Sequence, residues 1–224
     1  MGIFDWLKRK SAAAPEAESP ESGNAQTPAE ADEDEVFEAD AVLEKEPDPC
    51  LGDVDFEGFW HDTRESERRH IGSAPDWRII REVEAELGVK LPASYVELMK
   101  LHNGGMVNRC WFPARTPAKS YADYVQITSI LSLGKDAPYS LCGRFGSRFL
   151  VESYSHNPEI GVVVANTVKP GRALVFLDYR ENGPEGEPCV TYADAETGTE
   201  IRLADSFEAF VRGLTAVGMD AMTR

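Results

Sequence analysis

The feature that most constrains folding is an acidic stretch over residues 11–50. It holds thirteen acidic side chains and one lysine, so −12 of the chain's net charge of −16 lies there. The stretch is rich in Ala, Pro, Glu and Ser and nearly lacks large apolar residues, so burial cannot offset its ordering entropy. We therefore predict a disordered tether over 11–50, with an acidic lure for a basic partner as the alternative. The folded domain is expected over 51–224.

The first ten residues, MGIFDWLKRK, form a segment of their own. Phe4, Trp6 and Leu7 precede three basic residues, which is typical of a short amphipathic segment that docks on a partner or touches anionic lipid. An inert, frayed terminus is the alternative. The apolar part is too short for a signal peptide, and its basic residues follow it instead of preceding it. No apolar run approaches the length of a membrane span.

Composition narrows the class of protein further. The excess of acidic residues argues against nucleic acid as the main partner, because phosphates would be repelled. The four cysteines are scattered, without a CxxC pair or a histidine at zinc-binding spacing, which predicts reduced thiols, no metal and no cofactor. Together with the missing signal peptide, this usage indicates a cytoplasmic protein. The cysteines are Cys50, Cys110, Cys142 and Cys189.

Helical periodicity dominates the first half of the domain. DFEGFWHD places Phe56, Phe59 and Trp60 at helical spacing, which predicts a short helix. A longer helix is expected after a cap at Ser73, ending at Gly88. Another is expected to begin at Pro92 and to end at the sequence Asn103-Gly104-Gly105. The buried stripe of the middle helix is predicted to contain Ile79, Ile80, Val83 and Leu87.

The second half changes to strand patterns. RCWF, YVQITSI, IGVVVANT, RALVFLDY and PCVTYA are rich in β-branched and aromatic residues, and Pro170-Gly171 predicts an antiparallel hairpin. GSRFLVESYS predicts a helix that buries Phe149, Leu150 and Tyr154. A last helix, capped by Asp205 or Ser206, carries the apolar stripe Phe207, Phe210, Val211 and Leu214. This order favours an α+β fold with a mostly antiparallel central sheet and helices packed on one side.

Motifs for catalysis are absent from the sequence. There is no HExxH, and no two histidines lie three or four residues apart. Cys110 or Cys142 could form a dyad with His102 or His156 only if the fold joined them. We therefore predict a protein that is not an enzyme.

Turn residues and aromatics stand out instead. The run LDYRENGPEGEP over 177–188 joins two strands and predicts a preorganised recognition loop, with a plain hairpin connection as the alternative. The predicted recognition surface comprises Trp111, Asp178, Tyr179, Arg180, Glu185 and Glu187.

Five motifs in order resemble the SUKH superfamily, which includes the fungal cell-wall-assembly-regulator domain and bacterial immunity proteins. They are FW at 59–60, ELGVKLPASYVELMKLHNGG at 86–105, the stretch from Tyr139 through GSRFLVES, the 177–188 run, and LADSFEAFVRGL at 203–214. The resemblance implies an α+β fold with flanking helices, a binding module and no catalytic residues. It also implies structural roles for the residues that match its motifs, namely Trp60, Pro92, Tyr95, Asn103, Gly104 and Gly105.

Three functions follow as hypotheses. The resemblance favours an immunity-type protein that neutralises a partner toxin, such as a basic nuclease, by binding it. A regulatory or scaffold protein that recruits its partner through the N-terminal tail and the SUKH-like domain is the alternative. An enzyme would require a deep cleft with convergent thiol, imidazole or carboxylate groups.

Overall fold

The structure, a computed structural model, describes residues 49–114 and 123–216. Within these ranges the helices are α1 Arg64–Arg69, α2 Trp77–Leu87, α3 Ala93–Leu101, α4 Ser147–Tyr154 and α5 Phe207–Gly213. The strands are β1 Gly105–Met106, β2 Trp111–Ala114, β3 Asp123–Ile130, β4 Gly161–Thr167, β5 Ala173–Asp178, β6 Cys189–Asp194 and β7 Thr199–Ala204.

All named strands join one antiparallel sheet in the order β1-β3-β4-β5-β6-β7, and β2 also pairs with β3. The β4–β5 hairpin turns at Pro170-Gly171, as predicted, and Gly171 takes the left-handed φ of 71° that suits glycine. Helices flank this sheet, with α4 against β4 and α5 against β2, β6 and β7. The predicted α+β class with a mostly antiparallel sheet is confirmed.

The central strands β4 and β5 are buried along their whole lengths. Side chains alternate between the two faces of a strand, so an unbroken run of buried residues means that both faces are covered. Both faces of the middle of the sheet are therefore covered. Strand β7, at the end of the sheet, is largely exposed.

Several helix ends match their sequence signals. Gly88 ends α2 with a φ of 72°, and the Ser206 side chain accepts a hydrogen bond from the Ala209 amide to cap α5. The cap of α2 is Asp76, not Ser73, and its carboxylate accepts bonds from the amides of Arg78 and Ile79. Of the predicted α2 stripe, only Val83 is fully buried.

Two local predictions were wrong. Residues 55–62 form turns instead of a helix, and Trp60 makes a strand-like bridge to Val107. Helix α4 buries Leu150 and Val151, whereas Phe149 and Tyr154 are each 40% exposed. In both places tertiary packing overrides a short local pattern.

The first residues that the structure describes are bonded to helices α3 and α5. The amides of Cys50 and Leu51 donate to the Glu97 carboxylate of α3, and Arg212 of α5 donates to the Cys50 carbonyl at 2.8 Å. The predictions for residues 1–10 and nearly all of 11–50 lie outside the described residues and stay predictions. Within the described part, no helix has the length and apolar character needed to cross a membrane, and none of the four cysteines is in a disulfide.

Candidate recognition surface

The loop that follows β5 is shaped by its own hydrogen bonds. The Gly183 amide donates to the Tyr179 carbonyl at 2.9 Å, and the Gly186 amide donates to the Gly183 carbonyl at 3.1 Å. The Asn182 side chain closes the turn by donating to the Glu187 carbonyl at 2.8 Å. Gly183 has a φ of 74°, a conformation that other residues rarely adopt. The loop backbone is therefore held in a defined shape.

Tyr179 fixes this loop to the connection between α2 and α3. Its ring is fully buried, and its hydroxyl donates to the Lys90 carbonyl at 2.7 Å. The Lys90 amide in turn donates to the Pro184 carbonyl at 2.7 Å. Burial raises the pKa of the phenol far above its ordinary range, so it stays protonated and remains a donor. We name this pair of bonds the Tyr179–Lys90 latch.

Asp178 holds the first turn of the loop. Its carboxylate accepts two bonds from the Arg180 guanidinium, at 2.9 and 2.7 Å, and one from the Thr191 hydroxyl at 2.9 Å. Burial disfavours the charge, but the bonds from Arg180 and Thr191 outweigh it and keep the pKa of Asp178 below its ordinary value. Arg180 also reaches Glu200 of β7 at 2.9 Å. The Arg180 side chain is thus oriented by a carboxylate of β5 and a carboxylate of β7.

The predicted surface residues separate into two groups. Arg180, Glu185 and Glu187 are exposed on the loop. Asp178 and Tyr179 are buried and hold the loop from beneath, so the expectation that they belong to a contact surface does not fit their positions. Their residue types alone could not reveal this, because Tyr179 is bonded to Lys90 between α2 and α3, and Asp178 is bonded to Thr191 of β6.

Trp111 lies away from that loop. It is half-buried on β2, its ring meets Tyr124 edge-on at 6.5 Å, and its backbone pairs with Thr215 after α5. Among residues 49–114 and 123–216, no contact joins Trp111 to the charged loop. The sequence offered no signal for the exposed partner of that loop on β7, Arg202, which binds Glu181 at 2.7 Å.

The motif residues lie inside the domain. The Asn103 side chain donates to the carbonyls of Ser73 and Leu133 and accepts from the Leu133 amide at 2.8 Å. The Tyr95 hydroxyl donates to the Leu131 carbonyl at 2.7 Å. Pro92 precedes α3 directly and is buried. These residues join the helices to the segment that follows β3.

The remaining motif residues pack around the same junction. Trp60 stacks on His102 with ring centroids 4.4 Å apart. Gly104 has a φ of 75°, and a side chain there would meet the Ser132 backbone at 2.6 Å, so the position requires glycine. Gly105 faces Trp60 closely and begins β1.

One open groove lies between α2 and α4. It encloses about 250 Å³ and is lined by apolar side chains, by Cys142 and by charged groups at its rim. Burial raises the pKa of the Cys142 thiol to about 12, which disfavours the reactive thiolate. Of the histidines considered for a dyad, His156 bonds to the Gly171 carbonyl and His102 stacks on Trp60. The described residues contain no group of three or more His, Cys, Asp or Glu side chains placed to hold a metal.

Comparison with known proteins gives one informative result. A search of curated proteins found no match to the chain. The model of the SMI1/KNR4 family (SUKH-1) matches residues 78–213, which is more than half of the 224 residues. The matched range runs from the first turn of α2 to the end of α5 and includes the latched loop. The chain therefore belongs to the SMI1/KNR4 family (SUKH-1).

Proposed function

We propose that this protein is a non-enzymatic binding module that neutralises a partner toxin by binding it. The family includes immunity proteins as well as the SMI1/KNR4 regulators, and it acts through protein interaction. The observation that carries the proposal is the latched loop. It presents Arg180, Glu185 and Glu187 on a backbone fixed from two sides, and such preorganisation lowers the entropic cost of binding.

Charge defines the kind of partner. The whole chain has a net charge of −16, and Glu185 and Glu187 add local negative charge to the exposed loop. A basic partner, such as a nuclease toxin, would be attracted over a long range and would associate quickly at low salt. The acidic loop would then occupy part of the surface that the toxin uses for its own anionic substrate.

The test is co-expression with a toxin encoded beside this gene. Cells that express the toxin should survive with the wild-type protein and should die with Glu185→Lys/Glu187→Lys. The matched control is Glu152→Lys/Glu159→Lys, which changes the charge equally at exposed sites on and near α4. Reversal of two loop charges should weaken binding by about tenfold or more, and the weakening should shrink at high salt. Equal loss in both variants, or no toxin gene beside this one, would contradict the proposal.

A regulatory or scaffold protein is the second candidate. One observation favours it: residues 1–77, with the whole acidic stretch, lie outside the family match. A tail added to a binding domain supplies a second contact, and two linked contacts bind more tightly than either alone. The recruited protein would then depend on the tail as well as on the domain.

A further inference from the structure

An exposed aromatic side chain begins α2. Trp77 is 61% exposed, which is unusual for a side chain of this size. The guanidinium groups of Arg78 and Arg81 lie 5.3 and 5.2 Å from the centroid of its ring. Asp76 caps this turn of the helix, so the three side chains project from a fixed backbone. We name Trp77, Arg78 and Arg81 the Trp77 cluster.

Five other arginines of the described domain form ion pairs, whereas the two arginines of this cluster contact an aromatic ring. Arg69, Arg172, Arg180, Arg202 and Arg212 all pair with carboxylates. Neither Arg78 nor Arg81 has a carboxylate of the described residues within ion-pair distance, and their contacts are with the indole. Trp and Arg are the residue types most enriched at binding hot spots. The cluster is therefore suited to a segment with both carboxylates and apolar side chains.

The chain itself contains such a segment. Residues 33–44, EDEVFEADAVLE, carry six acidic side chains and no basic one. They also hold the only bulky apolar side chains of residues 11–48, namely Val36, Phe37, Val42 and Leu43. The structure describes the chain from Pro49 onward. Residues 37–48, which are twelve residues, span up to about 40 Å when extended. A domain of this size has a radius of gyration of about 15 Å, so the segment can reach the cluster.

We propose that residues 33–44 dock on the Trp77 cluster of the same chain. The carboxylates face the guanidinium groups of Arg78 and Arg81, and the apolar side chains cover the indole. A short tether gives an effective concentration in the millimolar range, so even a weak contact is substantially populated. The docked segment shields the cluster until a partner with similar chemistry displaces it. This inference is independent of the proposed toxin.

The test uses NMR of the full-length chain. Amide exchange of residues 33–44 should be about two- to tenfold slower than that of residues 12–28, relative to their intrinsic rates, because the docked state is a large fraction. Arg78→Glu/Arg81→Glu should abolish this protection and shift the Trp77 indole resonance. The matched control Arg64→Glu/Arg68→Glu makes the same charge change at exposed positions of α1 and should preserve the protection.

A second set of variants leaves the domain untouched. Val36→Ser/Phe37→Ser should release the segment and should move the Trp77 indole resonance as the arginine variant does. Replacing Glu33, Asp34 and Glu35 by lysine in the Arg78→Glu/Arg81→Glu background should restore protection. The proposal would be overturned by equal amide exchange of residues 33–44 and 12–28 in the wild type, or by equal loss of protection in the two arginine variants. It would also be overturned by protection that rises with protein concentration, because that result indicates docking on a second copy.

Discussion

At the scale of single residues, His70 shows how packing decides ionisation. Its ring stacks on Tyr139 with centroids 4.5 Å apart, and its buried Nδ1 has no hydrogen-bond partner in the described structure. Burial is the main reason that its pKa falls to about 4, and Arg69 lowers it further while Glu65 acts in the opposite direction. The histidine is therefore neutral in the folded state at neutral pH.

The stability of the domain should depend on this histidine in mildly acidic solution. The unfolded chain binds the proton below its ordinary pKa of 6.5, whereas the folded chain binds it only near 4. Stability should thus fall as the pH drops through this window, by about 2 kcal/mol between about pH 7.5 and pH 5. His70→Phe keeps the ring stack and should lose most of that dependence in urea unfolding. The exposed His61→Gln should behave like the wild type, and a pH dependence unchanged in His70→Phe would contradict the assignment.

At the scale of elements, the sequence predicts those whose signal is local. Helix α5 has its cap at Ser206 and its full apolar stripe, and both are confirmed. Strand β7 was missed although Glu200–Leu203 alternates polar and apolar residues, because the alternation is short and the segment becomes a strand by pairing with β6. Helix α1 was missed because its six residues lack an apolar stripe, and its buried residue is Ser66. Pairing with another strand and burial of a polar residue cannot be read from so short a segment of sequence.

The recognition surface, like the helices and strands, was predictable only where its signal is local. Turn residues located the loop after β5, but the prediction placed the buried Asp178 and Tyr179 beside the exposed Arg180, Glu185 and Glu187. The hydroxyl of the buried Tyr179 is bonded to Lys90, which lies 89 residues earlier in the chain. Such a contact requires the folded topology, so no window of sequence could reveal it.

Asn103 joins two elements, and its replacement should be costly. It links the end of α3 to Leu133 and Ser73 through three hydrogen bonds while 5% exposed. Asn103→Ala should leave the buried Leu133 amide unpaired and lower the free energy of unfolding by about 2–4 kcal/mol. Asn108→Ala, which removes bonds from an exposed side chain to the carbonyls of Gly58 and Trp60, should cost about 1 kcal/mol or less. Urea titration measures both, and similar losses would refute the role of Asn103.

At the scale of the whole molecule, charge is divided between two parts. Residues 11–50 carry −12, whereas residues 51–224, which include the family match, carry −6. Electrostatic attraction and specific contact can therefore be altered separately. In the proposed toxin complex, the acidic stretch would contribute to the first and the fixed loop to the second.

Removal of residues 1–48 distinguishes the two candidate functions. The deletion leaves the contacts of Cys50 and Leu51 with Glu97 in place. A toxin-binding domain should still protect cells, with slower association at low salt because of the lost charge. A scaffold should lose its recruited protein completely. A chain in which serine replaces every acid of residues 11–48 keeps the length and serves as the control, so an effect of charge is separated from an effect of the tail itself.

The Tyr179–Lys90 latch has a consequence for protein engineering. A new loop grafted between β5 and β6 must keep the phenol at position 179, which donates to the Lys90 carbonyl, and the carbonyl at position 184, which accepts from the Lys90 amide. An insertion before Pro184 would move its carbonyl out of register with the Lys90 amide, whereas Glu185 can be randomised because its side chain is exposed. A library of altered specificities should therefore vary side chains at constant loop length.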